Sequence, residues 1–151
     1  LTTLAGAISL AVLTACARSV PHPLPQPPTP IAFAIVTWNM HAGKGDLPAL
    51  VSDLASGRLA GTPVREYALL LQEAIQGGTG ARENERPVDV EEFARAHMLS
   101  AFYSAVRPTR AGVTGNAMLA TRSLIEPRTI DLPRVRQPRG AIVSHIEIGG
   151  L

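Results

Sequence analysis

Two short apolar runs constrain this chain more than any other feature. The first is Ile31-Ala-Phe-Ala-Ile-Val-Thr-Trp38, closed by Asn39, and the second is Tyr67-Ala-Leu-Leu-Leu-Gln72, closed by Glu73. Both read as buried strands, over about residues 31–38 and 66–72. Between them Leu47, Leu50, Val51 and Leu54 recur at i, i+3, i+4, i+7, the spacing of an amphipathic helix. Asp46 stands where an N-cap belongs, Pro48 falls in the first turn, and Gly57 and Gly61-Thr-Pro63 close the helix. Buried strands that end in oxygen-bearing side chains are a common way for α/β proteins to hold a hard cation at a sheet edge. One amide and one carboxylate are, however, an incomplete ligand set.

The rest of the chain continues the alternation. Gly77-Gly-Thr-Gly-Ala-Arg-Glu-Asn-Glu-Arg-Pro87 reads as a polar loop, followed by a short helix with Asp89 as cap and Glu92 three residues on. The glycines at 77–80 are no phosphate-cradling motif, because no Lys-Ser/Thr follows to open a helix. Strands are expected near residues 101–106, 115–121, 127–131 and 140–148. In the last, Ile142, Ser144, Ile146 and Ile148 share one face, and Val143, His145 and Glu147 the other, with His145 read as structural or solvated. No internal repeat is visible. The element order predicts an α/β fold with a mixed, largely antiparallel sheet.

With 151 residues the chain suffices for one domain with a real core, and its 46% apolar and 17% charged residues exclude both a disordered and a wholly membrane-embedded protein. A formal charge of only +2 leaves no strong nucleic-acid footprint. Cys16 is the single cysteine, so it has no disulfide partner within the chain. It follows Leu4-Ala-Gly-Ala-Ile-Ser-Leu-Ala-Val-Leu13, an uncharged run of signal-peptide length that is short for a bilayer span. Leu13-Thr-Ala-Cys16 resembles the lipobox of bacterial lipoproteins, which implies cleavage before Cys16 and a lipid on its thiol. The other reading, a buried helix with a free cysteine, fits poorly with the proline-rich sequence that follows. Residues 20–30 contain six prolines and no charge, the composition of a polyproline II spacer. The expected organisation is therefore a signal peptide at 1–15, a lipid-anchored tether at 16–30 and a folded part at 31–151, in a bacterial cell envelope.

Read singly, the polar residues have ordinary explanations: Asn39 as an Asx-turn residue, Glu73 as a solvated strand end, His41 as a loop histidine, Arg139 as a strand-edge arginine. Read together, Thr37-Trp-Asn-Met-His-Ala-Gly43, Leu70-Leu-Gln-Glu73, Gly115-Asn-Ala-Met-Leu119 and Arg139-Gly-Ala-Ile142 form an ordered set, with Leu132-Pro-Arg-Val-Arg-Gln-Pro-Arg139 alongside. This set resembles the endonuclease/exonuclease/phosphatase (DNase I-like) family, which includes nucleases, sphingomyelinases and inositol phosphatases. The resemblance covers about residues 33–151. It implies a sandwich of two mixed, largely antiparallel sheets with outer helices. It also implies Mg²⁺-dependent hydrolysis of a phosphoester of unspecified class, with Mg²⁺ (or Mn²⁺) on Asn39 and Glu73 and phosphate contacts from Arg139, Asn116 and His41.

The family pattern continues with an Asn/Thr-His-Leu strand end, an Asp-x-Asn segment and a Ser-Asp-His. The last two occur nowhere in this chain. The resemblance therefore implies a partial sandwich lacking its C-terminal half, with no catalytic general base before Leu151 and little or no activity as it stands. A half sandwich would expose the apolar face meant for its partner sheet. The alternative expectation is a non-catalytic envelope lipoprotein that reuses half the fold for binding.

Overall fold

A computed structural model describes residues 32–77, 87–133 and 138–149. Cys16, the signal peptide and the tether lie outside the described residues. The described chain is mixed α/β with sheets dominating: β1 (Phe33–Asn39), α1 (Leu47–Ser56), β2 (Glu66–Gln76), α2 (Val90–Ala96), β3 (Ser100–Thr109), β4 (Gly112–Ala120), β5 (Ile125–Asp131) and β6 (Gly140–His145). Four strands form one sheet in the order β1-β2-β4-β3, and β5 pairs with β6 alone. β1 and β2 run parallel, as a helical crossover permits. The other pairings between the described strands are antiparallel.

Local chemistry explains both helices. Asp46 caps α1 by accepting from the Ala49 N–H at 2.9 Å, Pro48 occupies the first turn, and Gly57 ends the helix in the left-handed conformation. Asp89 caps α2 by accepting from the N–H groups of Glu91 and Glu92 at 3.0 and 3.1 Å. Its other oxygen accepts from the Gly77 N–H at 2.6 Å, so one carboxylate ties the end of β2 to the start of α2.

The two faces of the main sheet have different covers. Strand periodicity puts Tyr67, Leu69, Leu71, Ala117 and Leu119 on one face, and there they join Leu47 and Leu54 of α1 and Val90, Phe93 and Ala94 of α2 in a single core. The opposite face carries Ser104 and Asn116, paired across β3 and β4, and it receives the β5–β6 hairpin. Thr129 donates its hydroxyl to Ser104 at 2.9 Å, and Asn116 donates its amide to the Gly140 carbonyl at 2.8 Å. The hairpin covers only the β3–β4 half. Over β1 the same face is open, and Ile35 is 69% exposed.

Several strand boundaries differ from the sequence expectation: β3 runs on to Thr109, β4 starts at Gly112 and β5 at Ile125, and two further differences have a clear cause. The second strand does not stop at Glu73 but runs on to Gln76. Its register against β4 slips between Leu71 and Ala74, so Gln72 and Glu73 together oppose Asn116. The extra residue is a β-bulge, and beyond it Ala74 and Ile75 are fully buried, which favours continuing the strand. The final strand ends at His145 rather than near 148, because β5, its partner among the described strands, pairs no further than Ile125 with His145.

Candidate functional site

The bulge decides where Glu73 points. Its φ of +51° is left-handed, a conformation that costs a non-glycine residue about 1–2 kcal/mol and bends the strand. Neighbouring His41 and Ala42 share it, at φ +50° and +58°. Such strain persists where surrounding bonds over-determine it. Here Met40 N–H donates to Gln72 O at 2.8 Å, Gly43 N–H to Glu73 O at 3.0 Å, and Ala42 N–H to Glu73 Oε2 at 3.2 Å. The loop after β1 is thus laced to the bulge of β2.

Asn39 at the end of β1 and Glu73 at the bulge of β2 meet directly. Asn39 Nδ2 donates to Glu73 Oε1 at 3.0 Å, while Asn39 Oδ1 accepts from the His41 N–H at 2.8 Å. Each Glu73 oxygen therefore has one protein donor and keeps lone-pair capacity, as does Asn39 Oδ1. Glu73 is exposed, and among the described residues no Lys or Arg pairs with it. A hard cation fits this donor set chemically, since it is all oxygen with one net negative charge. No group of three His, Cys, Asp or Glu side chains converges among the described residues. A cation here would complete its shell with water and ligand oxygens, which is the habit of Mg²⁺.

Asn39 and Glu73 open onto a cleft of about 680 Å³, whose other walls include Asn116 and Arg139. Four of the five residues that the family resemblance assigns to metal or phosphate thus share one cavity. Asn116 faces the bulge across the ladder, and its bond to Gly140 O also positions the residue next to Arg139. His41 does not line the cleft. It contributes its backbone N–H, which orients Asn39. His145 is exposed at the end of β6.

Two cleft residues escaped the sequence reading. Arg107 and Arg110 line the same cavity from the β3–β4 hairpin. They were hidden because a strand was expected only to about residue 106. The signal available was Thr109-Arg-Ala-Gly112, a compact turn flanked by strand-like sequence.

Tyr103 braces the floor. Its hydroxyl donates to Val113 O at 2.6 Å and lies 3.2 Å from Ala74 O, bridging β4 and β2 beside the bulge. Burial, reinforced by the charges of Asp89 and Glu91, pushes its phenol up to about 12. The ring lies over Gly115, where an added Cβ would sit 2.8 Å from the phenol and against the Ser104 carbonyl. Only glycine admits that approach.

Comparisons of the chain with protein-family models, with curated proteins and with solved structures return no match.

Proposed function

We propose that this chain carries the cation- and phosphate-binding part of a Mg²⁺-dependent phosphoester hydrolase, of the DNase I-like kind that its motifs resemble, held in a bacterial envelope by a lipid on Cys16. One observation carries the reading: Asn39 and Glu73, bonded to each other at 3.0 Å, open onto the same cleft as Asn116 and Arg139. Mg²⁺, or Mn²⁺ in its place, polarises a phosphoryl oxygen and offsets charge developing on it. Glu73 supplies the negative charge that holds the cation, and Asn39 a neutral oxygen. Arg139 offers a guanidinium fork matched to two phosphate oxygens. Asn116 has one amide hydrogen left after its bond to Gly140 O.

A second reading is a phosphate-binding module without chemistry. It is favoured by the make-up of the described cleft wall, which holds one carboxylate and no imidazole, so no separate general base faces the cation site.

Calorimetric titration of Mg²⁺ into the 151-residue chain tests the site. Binding should weaken about tenfold or more in Glu73→Gln, the scale of one lost charge-assisted contact. Inorganic phosphate should bind more tightly with Mg²⁺ present and more weakly in Arg139→Gln. Phosphate binding indifferent to Mg²⁺ sinks the hydrolase reading and leaves the module. Hydrolysis of bis(4-nitrophenyl) phosphate that needs both Mg²⁺ and Glu73 would dismiss the module.

A further inference from the structure

We infer that Arg107 and Arg110 form a second phosphate subsite, so that the ligand of this cleft carries a further phosphate group beyond the one held at Arg139 and Asn116. The inference rests on the phosphoester reading of the cleft and extends it to the class of substrate.

The argument begins with charge. Among the described residues, Arg107, Arg110 and Arg139 line the cleft against a single carboxylate, Glu73. None of the three arginines has a carboxylate partner among the described residues. Three guanidiniums around one cavity repel one another and favour an anionic ligand. A cation at Glu73 would add to that excess.

Position separates the arginines into two groups. Arg139 immediately precedes Gly140, whose carbonyl accepts from Asn116. Arg107 pairs with Thr114, two residues along β4 from Asn116 and on the same sheet face, about 7 Å further toward the hairpin tip. Arg110 lies beyond it in the turn between Thr109 and Gly112. That turn is held: the Thr109 hydroxyl donates to Gly112 O at 2.8 Å and accepts from the Ala111 N–H at 3.2 Å. The backbone beneath Arg110 is therefore set before any ligand arrives, which lowers the ordering cost of binding. A phosphate centred between Arg139 and Asn116 leaves the hairpin pair facing the next stretch of ligand. A guanidinium fork suits phosphate in both geometry and charge.

The test compares ligands that differ by one phosphate, with Mg²⁺ present, on the whole 151-residue chain. Thymidine 5′-monophosphate is set against thymidine 3′,5′-bisphosphate, and fructose 6-phosphate against fructose 1,6-bisphosphate. The bisphosphate of at least one pair should bind about tenfold more tightly than its monophosphate, the scale of a further charge-assisted contact. In Arg107→Gln/Arg110→Gln that ratio should fall to within about twofold of one, while Arg107→Lys, which keeps charge but not the fork, should retain part of it. Both arginines are exposed, so the substitutions spare the core. An advantage in the nucleotide pair alone identifies a nucleic-acid-like backbone as the source of the second phosphate. An advantage in both pairs identifies the phosphate itself. Monophosphate binding with no bisphosphate advantage, or an advantage untouched by the double substitution, overturns the subsite and leaves the phosphoester reading standing. No binding of any of the four overturns that reading, and the subsite with it.

Discussion

Asn39 and Glu73 are 34 positions apart in sequence, yet the amide of one donates to the carboxylate of the other at 3.0 Å. The contact joins the end of β1 to the bulge within β2, and it depends on that bulge turning Glu73 out of the ladder. Asn39→Asp tests what this juxtaposition is for. It replaces a hydrogen bond with two like charges at contact distance, which should cost about 1–2 kcal/mol without a divalent cation. Mg²⁺ should restore most of that loss, making the melting temperature of the variant respond to Mg²⁺ more strongly than that of the parent chain. A variant whose melting ignores Mg²⁺ would count against a cation at this position.

Gly115 is held to glycine by its neighbours and not by its backbone angles. Gly115→Ala should destabilise the chain by about 1–3 kcal/mol, the range for overpacking a fitted interior, because the Tyr103 ring and the Ser104 carbonyl must both move. Urea unfolding gives the magnitude. Tyrosine titration should show the Tyr103 phenol falling back toward its ordinary value as it leaves its buried seat.

Stability should decline at alkaline pH. The native Tyr103 phenol lies at about 12 against an ordinary 10.0, and burial also raises Tyr67. The folded state thus holds protons that the unfolded chain has already released. Its contribution is complete below pH 10 and is lost as pH rises toward 12. Denaturant melts at pH 8, 10 and 11 should show the decline, and Tyr103→Phe should flatten it in part, leaving the share from Tyr67. An equally steep decline in Tyr103→Phe would assign the effect elsewhere.

Ile35 stands 69% exposed on β1, an edge strand of the main sheet. An apolar residue on an open edge invites strand-to-strand association. Ile35→Lys should therefore raise the concentration at which the chain stays monodisperse in light scattering, and change folding stability by less than about 0.5 kcal/mol. A large loss of stability would mean that Ile35 is covered in solution.

The lipid proposed on Cys16 is a direct matter for mass spectrometry. Chain recovered from a bacterial membrane fraction should begin at Cys16 and carry diacylglycerol on its sulfur. An unmodified thiol within an uncleaved leader would remove the anchor from the proposed function.

The local grammar of this chain was legible in its residues. Asp46, Pro48 and Gly57 announced the first helix and Asp89 the second, because capping and turn chemistry act within a few residues. The apolar runs announced β1 and the first part of β2, because period and burial are local too. Asn39 and Glu73 stood out as oxygen donors at the ends of those runs. The bulge was not legible. Whether Gln72 and Glu73 share one partner depends on Asn116, more than forty positions away, and no sequence period records a register slip. The same holds for Arg107 and Arg110, which were ordinary surface arginines until the β3–β4 hairpin carried them to the cleft. Side-chain chemistry, readable residue by residue, set which positions could bind a cation or a phosphate. Tertiary structure alone decided which of them share a cavity: strand pairing brought in Asn116, Arg139, Arg107 and Arg110, and left the His41 side chain outside.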